Sequence, residues 1–292
     1  MFHSPQPVFY TFRTRVGESA AFPVQTVLHG TTDMVTQTKE ERLGALAKLH
    51  AQLRELPKVD LHRHLEGSLR LQTLAEIAQE HGIDLPSYDI EYLRPFVTVM
   101  DADTDFHSFL EKFRLLRHFY RTQEAVERVA YEAVVDAAAD NIKYLELRFN
   151  PVALAREQGF SLDEVTTWVG GAVARAERDC GVRSNLILQI GRDEELSTAH
   201  EIVDVAMAHR SDSVVGLDLA GDETGYPARR FAEVFQRARK EGLHVTVHAG
   251  EAGDAENVRE AIEMLGAQRI GHGVRSIENS EIIQMIRERG VT

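Results

Sequence analysis

The chain has 292 residues, a formal net charge of −13, 43% hydrophobic and 27% charged residues, and a single cysteine. That length buries a core large enough for one barrel domain, and the acidic balance argues against binding nucleic acid or anionic membrane by bulk electrostatics. One thiol, Cys180, excludes an internal disulfide framework and any multi-cysteine metal site.

Residues 1–38 carry Pro5, Pro7 and Pro23, many Ser and Thr, and no lysine before Lys39. They read as a flexible or artefactual extension, with Met34 as the expected translation start and 39–292 as the barrel domain. A helix is expected over 40–56. Short apolar runs at 59–62, 142–149, 185–190, 214–219, 244–248 and 269–272 then alternate with helical patterns at 124–139, 162–179, 195–209, 229–241 and 255–265. Ser161 and Asp254 stand at N-cap positions, and Gly181, Gly242 and Gly266 at C-cap positions. Cys180, before Gly181, reads as a buried thiol at a helix end.

Strand followed by helix, without hairpin signals, means right-handed crossovers and a parallel sheet. No Gly-x-Gly-x-x-Gly follows the first strand, so a (β/α)8 TIM-type barrel is favoured over a dinucleotide-binding sheet. The sequence holds strands one to six. A helix over 279–289 follows the sixth, and Gly290-Val291-Thr292 reads as the opening of a seventh. About eighty residues separate His64 from strand two. They carry helical patterns at 71–81 and 105–120 and a segment marked by Pro86 and Pro95, and read as a lid on the C-terminal rim or as added packing.

Barrel chemistry collects where strands end. Strand one, with Val59 and Leu61 as its expected buried residues, ends in His62 and His64, whose alternation puts both imidazoles on one face. Strand two ends Glu146-Leu147-Arg148-Phe149-Asn150, strand four Asp218-Leu219-Ala220-Gly221-Asp222-Glu223, strand five His248-Ala249-Gly250-Glu251, and strand six His272-Gly273. His248 suits a third nitrogen ligand beside His62 and His64. Glu251, beyond a flexible glycine, can carry protons if apolar surroundings raise its pKa. His272 supplies a second base or an anchor for hydroxide, since zinc lowers the pKa of bound water to about 7. These parts make a metal-assisted hydrolase. No lysine stands at a strand end to bridge two metals, so one zinc per chain is expected. His81, His200 and His209 are expected in solvent, His244 at the opposite barrel end, and His107 and His118 in packing on the lid helix.

The segments 57–69 (PKVDLHRHLEGSL), 218–223 (DLAGDE), 246–251 (TVHAGE) and 269–273 (RIGHG) closely resemble the adenosine deaminase family, in that family's order. The resemblance runs from about residue 40 to 292. It implies a zinc barrel that hydrolyses the 6-amino group of a small-molecule purine nucleoside, adenosine to inosine plus ammonia; the acidic balance and lone cysteine add the expectation of a cytoplasmic enzyme with neither nucleic acid nor membrane as partner. It implies His62, His64 and His248 as zinc ligands, and Glu251 as the residue that protonates purine N1. His272 would orient the attacking hydroxide, Gly221 would offer its amide to the ring, Glu66 would meet the sugar side, and His64 would contact the substrate as well as the metal. Many family members have Asp where Glu66 stands, which leaves aminodeoxyfutalosine deamination as an alternative. The family's last zinc ligand, an Asp on strand eight, lies beyond Thr292. The chain therefore reads as a fragment of a longer active enzyme, itself inactive or, alternatively, a noncatalytic purine- or metal-binding protein.

Overall fold

The computed structural model describes residues 38–85, 87–100, 106–210 and 214–292, without the side chains of Lys39 and His107. The expectations for 1–37, including a start at Met34, lie outside the described residues.

Six parallel strands, β1 (Lys58–His64), β2 (Ile142–Phe149), β3 (Arg183–Gly191), β4 (Val214–Ala220), β5 (His244–Ala249) and β6 (Arg269–His272), pair in the order β1-β2-β3-β4-β5-β6. Sequential pairing of parallel strands with helical crossovers is the build of a (β/α)-barrel wall, here nearly closed. The last residue continues the ladder: Thr292 N–H donates to Gln268 O at 3.2 Å, and Ile270 N–H donates to Thr292 O at 2.8 Å. That exchange is the parallel pattern expected of a seventh strand on β6.

Helix α1 (Lys39–Glu55) precedes β1. Thr38 and Glu41 form its capping box, and Lys58 Nζ donates to the carbonyls of Leu53, Arg54 and Leu56 at its end. The eighty-residue interval holds α2 (Leu71–His81), α3 (Ile90–Val97), α4 (Phe106–Arg117) and α5 (Gln123–Ala139). α3 lies in the segment marked by Pro86 and Pro95, for which no helix was expected. Asp89 caps it through the Tyr92 N–H, and Pro95 comes late enough to forfeit only the bond to Glu91 O. Then follow α6 (Pro151–Ala155), α7 (Leu162–Cys180), α8 (Leu196–Ala208), α9 (Ala232–Lys240), α10 (Ala255–Glu260) and α11 (Ser280–Arg289). The pattern at 229–241 divides into a 3-10 turn, Ala228–Phe231, and α9. That at 255–265 divides into α10 and a π turn, Ala261–Leu265, closed by Gly266 in the left-handed region.

Ser161 and Asp254 cap their helices as expected, and Gly181 ends α7 at φ 70°. Gly242 follows the last helical turn by one residue, because Glu241 holds the C-cap position. Cys180 is half-buried beside the core. The core lies between sheet and helices; α5 and α7 pack together, and Val126, Val129, Ala130, Ala133, Val169, Ala172 and Ala176 on them are all at most 1% exposed. Small and β-branched side chains let two helices approach closely and lose little rotamer entropy there.

Val59 and Leu61, read as buried, are 66% and 38% exposed. β1 is the edge of the six-stranded sheet and has a strand neighbour, β2, on one side only. Apolar character predicted burial, but burial needs a neighbour.

Candidate active site

Along β2, Tyr144, Glu146 and Arg148 share one parity and face the barrel interior. There Tyr144 donates to Glu146 at 2.8 Å, Asn185 donates to Tyr144 at 2.8 Å, and Arg269 of β6 pairs with Glu146 across the barrel. Asp218 of β4 and His248 of β5 occupy the same interior one layer higher. All seven residues singled out in the sequence (His62, His64, Glu66, Gly221, His248, Glu251 and His272) line one cleft of about 1530 Å3 at the C-terminal strand ends.

Three imidazoles converge there. His62 Nε2 lies 2.9 Å from His248 Nε2 and 3.4 Å from His64 Nε2, and His64 Nε2 is 3.1 Å from His248 Nε2. Tetrahedral zinc bonded at 2.0–2.1 Å would separate its nitrogens by about 3.3 Å, so the triangle fits one such ion. Gly271 permits the approach, since a Cβ there would sit 2.9 Å from His62 Cε1. The buried Asp218 carboxylate accepts from His248 Nδ1 at 3.0 Å, which fixes the tautomer and leaves the Nε2 lone pair facing the cluster. Arg148, 2% exposed, donates to Asp218 at 3.0 Å and to Leu61 O at 2.7 Å. The metal-facing ring thus rests on an Asp218–Arg148 pair in the middle of the barrel.

Electrostatics follow from this crowding. Desolvation in the cleft, then repulsion from His248 and Arg148, hold His62 and His64 well below the ordinary imidazole value, in the neutral form a metal needs. Burial and His248 bring His272 down to about 4. Burial works against the Asp218 charge, but His248 and Arg148 outweigh it and keep the carboxyl below the usual range. Glu251 goes the other way: burial, reinforced by Glu223 and Asp218 against the pull of His248, raises it to about 7. A carboxyl poised there can both hold and release a proton at neutral pH.

Glu251 is placed by a residue sequence reasoning passed over. The Glu223 carboxylate, 4% exposed, accepts the N–H of Gly250 at 2.8 Å, Glu251 at 2.7 Å, Ala252 at 2.5 Å and Gly253 at 2.6 Å. Gly250 makes the turn at φ 65°. His272 adopts φ 68°, uncommon for a residue with a Cβ, and its Nε2 stands 3.5 Å from Glu251 Oε2.

Glu66, 5% exposed, accepts from Asn150 N–H through Oε1 at 2.7 Å, while its buried Oε2 has no partner. Gln189 also lines the cleft, beside Asp218 in register, with a buried Oε1 lacking a partner. α4 closes one side of the cleft with Phe109, Leu110 and Phe113, placing the long insertion over the site. His118 turns away to Glu157 at 2.6 Å and takes no part; the His107 side chain lies outside the described residues. His209, expected in solvent, is half-buried and bonded to Asp163 at 2.8 Å, because it forms the C-cap of α8. His244 sits at the opposite strand end against Gln268. Arg148, Asp218 and Glu223 went unassigned because their roles are contacts between strands. The one local signal was charge at inward positions of otherwise apolar strands.

Three imidazoles that could hold a metal and a raised carboxyl at the strand ends of a (β/α)-barrel are the parts of a barrel hydrolase. Residues 57–292 match the adenosine deaminase family. An adenosine deaminase from Vibrio parahaemolyticus is 40% identical over 238 residues, 82% of this chain and 71% of the relative. Among solved structures, an Arthrobacter aurescens adenine deaminase superposes with a TM-score of 0.72 at 32% identity, covering 79% of this chain and 68% of that one. A Burkholderia ambifaria amidohydrolase with bound zinc superposes with a TM-score of 0.74 at 31% identity, covering 83% and 65%. The chain belongs to the adenosine deaminase family. Among the described residues, no helix is long and apolar enough to cross a membrane.

Proposed function

We propose that the chain hydrolyses the 6-amino group of adenosine, yielding inosine and ammonia, with one zinc held by His62, His64 and His248. When bound, zinc supplies Lewis-acid chemistry that makes water nucleophilic at neutral pH. The protein's own groups do the rest. Glu251, raised to about 7 chiefly by burial, gives its proton to the purine ring nitrogen, so that the adjoining carbon becomes electrophilic. His272, kept neutral by burial and His248, takes a hydrogen bond from the attacking water and orients it. Gly221, at φ 110° in the cleft wall, brings its backbone against the ring where a Cβ would be strained. α4 narrows the access of bulk water.

The observation that carries the reading is the arrival of His62, His64, His248, Glu251 and His272 in one cleft from three separate strand ends. A nucleoside is favoured over a free base by Glu66, whose buried Oε2 lacks a donor that a ribose hydroxyl would supply. The same vacancy suits an adenine nucleoside with a modified 5′ side, which keeps aminodeoxyfutalosine as the second reading. Residues 39–292 act as the single hydrolase unit. Ammonia release from adenosine, adenine and aminodeoxyfutalosine tests the assignment. Turnover of adenosine above adenine is expected from the expressed complete reading frame, and turnover of none by its zinc-loaded product overturns the assignment.

A further inference from the structure

Arg192 follows β3 directly and is 0% exposed. Its guanidinium donates from Nη1 to Tyr226 O and from Nη2 to His248 O, each at 2.8 Å, and pairs with no carboxylate among the described residues. Its Nε is buried without a partner. The backbone beneath it is fixed, since the Arg192 N–H donates to Ala220 O, at the end of β4, at 2.9 Å. Burial pulls its ionisation below the ordinary arginine value, and Glu223 leads the more distant acids that offset this. A buried charge is costly unless paired, so packing alone does not account for an arginine at this place.

The two carbonyls it holds belong to the two segments that build the proton-carrying corner of the site. Tyr226 lies on the loop that leaves β4 through Gly221 and Glu223, and His248 stands on β5 three residues before Glu251. Glu223 ties that loop to the N–H groups of Gly250, Glu251, Ala252 and Gly253. Arg192 ties the same two segments a second time, on the other side of Glu251, through the His248 carbonyl. A segment held at one point turns about it; held at two, it keeps one orientation. The signs match as well, with the cation on carbonyl oxygens and the anion on N–H groups of the following turn. The planar guanidinium suits the first task, because its rigid fork reaches two acceptors at once.

We infer that Arg192 is a positioning residue for the proton carrier: by bridging Tyr226 O and His248 O it fixes, together with Glu223, the orientation of the turn that sets Glu251 beside His272 and the imidazole cluster. The inference rests on the proposed deamination for what Glu251 does, and on the hydrogen bonds for how it is held.

The test expresses the complete reading frame as the native protein, Arg192→Met, Arg192→Lys, Glu223→Gln and the double variant Arg192→Met with Glu223→Gln. Hydrogen exchange at residues 249–254, followed by mass spectrometry, reads the turn without any turnover. Arg192→Met should speed that exchange at least about tenfold while peptides from α5 and α7 keep the native rate. For adenosine, kcat should fall at least about tenfold with KM within about threefold, since a misplacement of about 1 Å costs up to about 100-fold in rate. Lysine keeps the charge without the fork, so Arg192→Lys should fall between native and Arg192→Met. With both anchors on one turn, the double variant should lose less kcat than the two single losses multiplied together. Exchange at 249–254 and kcat both within about threefold of native in Arg192→Met overturn the inference. Exchange that rises equally in α5 and α7 makes Arg192 a general packing residue and overturns it too. Arg192→Lys carries the test if Arg192→Met does not fold, and a native exchange rate at 249–254 in that variant overturns the inference. Faster exchange confined to 249–254, in a protein that turns over no purine nucleoside, upholds the anchor and overturns the deamination.

Discussion

Asp218→Asn is the perturbation that the barrel interior predicts most sharply. Asp218 is 0% exposed and stands between the Arg148 guanidinium and His248 Nδ1, each at 3.0 Å. Asparagine has nearly the same volume, so no cavity opens and the change isolates the charge. Its single carbonyl can serve His248 or Arg148, and its NH2 then faces the remaining donor. Arg148, 2% exposed, would keep only its bond to Leu61 O, and its Nε already lacks a partner. Breaking a buried ion pair by removing one charge costs about 3–5 kcal/mol, because the other charge stays buried and uncompensated. For a chain of this size that lowers Tm by about 6–20 °C. Loss of the carboxylate behind a metal-facing imidazole should also weaken zinc binding about 10–100-fold. Thermal unfolding and competition with a chromogenic zinc chelator give the two readouts. The double variant Arg148→Met with Asp218→Asn should lose less stability than the sum of the singles, since it no longer buries a lone charge. A Tm within about 2 °C of native for Asp218→Asn, with unchanged zinc affinity, refutes this account of the layer.

Glu223→Gln replaces a carboxylate that accepts four N–H groups, so stability should fall by about 2–4 kcal/mol and kcat should drop with the displaced Glu251 loop; chemical denaturation with steady-state kinetics checks both. Gly271→Ala puts a methyl 2.9 Å from His62 Cε1, and zinc affinity by chelator competition should weaken at least about tenfold while far-ultraviolet circular dichroism stays native. For the proton carried by Glu251, the sign follows from its raised value of about 7: the protonated acid is populated below it and lost above it. Then kcat/KM should fall as pH rises through about 7, and a flat profile from about pH 6 to about pH 9 is incompatible with Glu251 as the acid.

Much of the fold was legible because strand and helix periods differ and each leaves its own spacing of apolar residues. The strand runs at 142–149 and 269–272 carry the same limits in the structure. Ser161 and Asp254 marked helix starts because a side-chain oxygen must satisfy a free N–H there, a requirement local to four residues. The helix at 90–97 was not legible, because Pro95 bars a hydrogen bond, yet two turns of helix need few bonds to stand against a packed neighbour.

By itself, the sequence determined that a parallel barrel would form and that His62, His64, His248, Glu251 and His272 would gather at one end. Strand alternation and the common direction of parallel strands force both results. Only the tertiary structure decided what supports and surrounds those residues. Asp218 is a clamp rather than a spare acid because Arg148 reaches it across the barrel, and Glu223 is a loop anchor because four amides turn toward it. Val59 and Leu61 are exposed because burial belongs to the neighbour as much as to the residue. Pairing, burial and vacancy are relations across long sequence distances, and no local pattern encodes them.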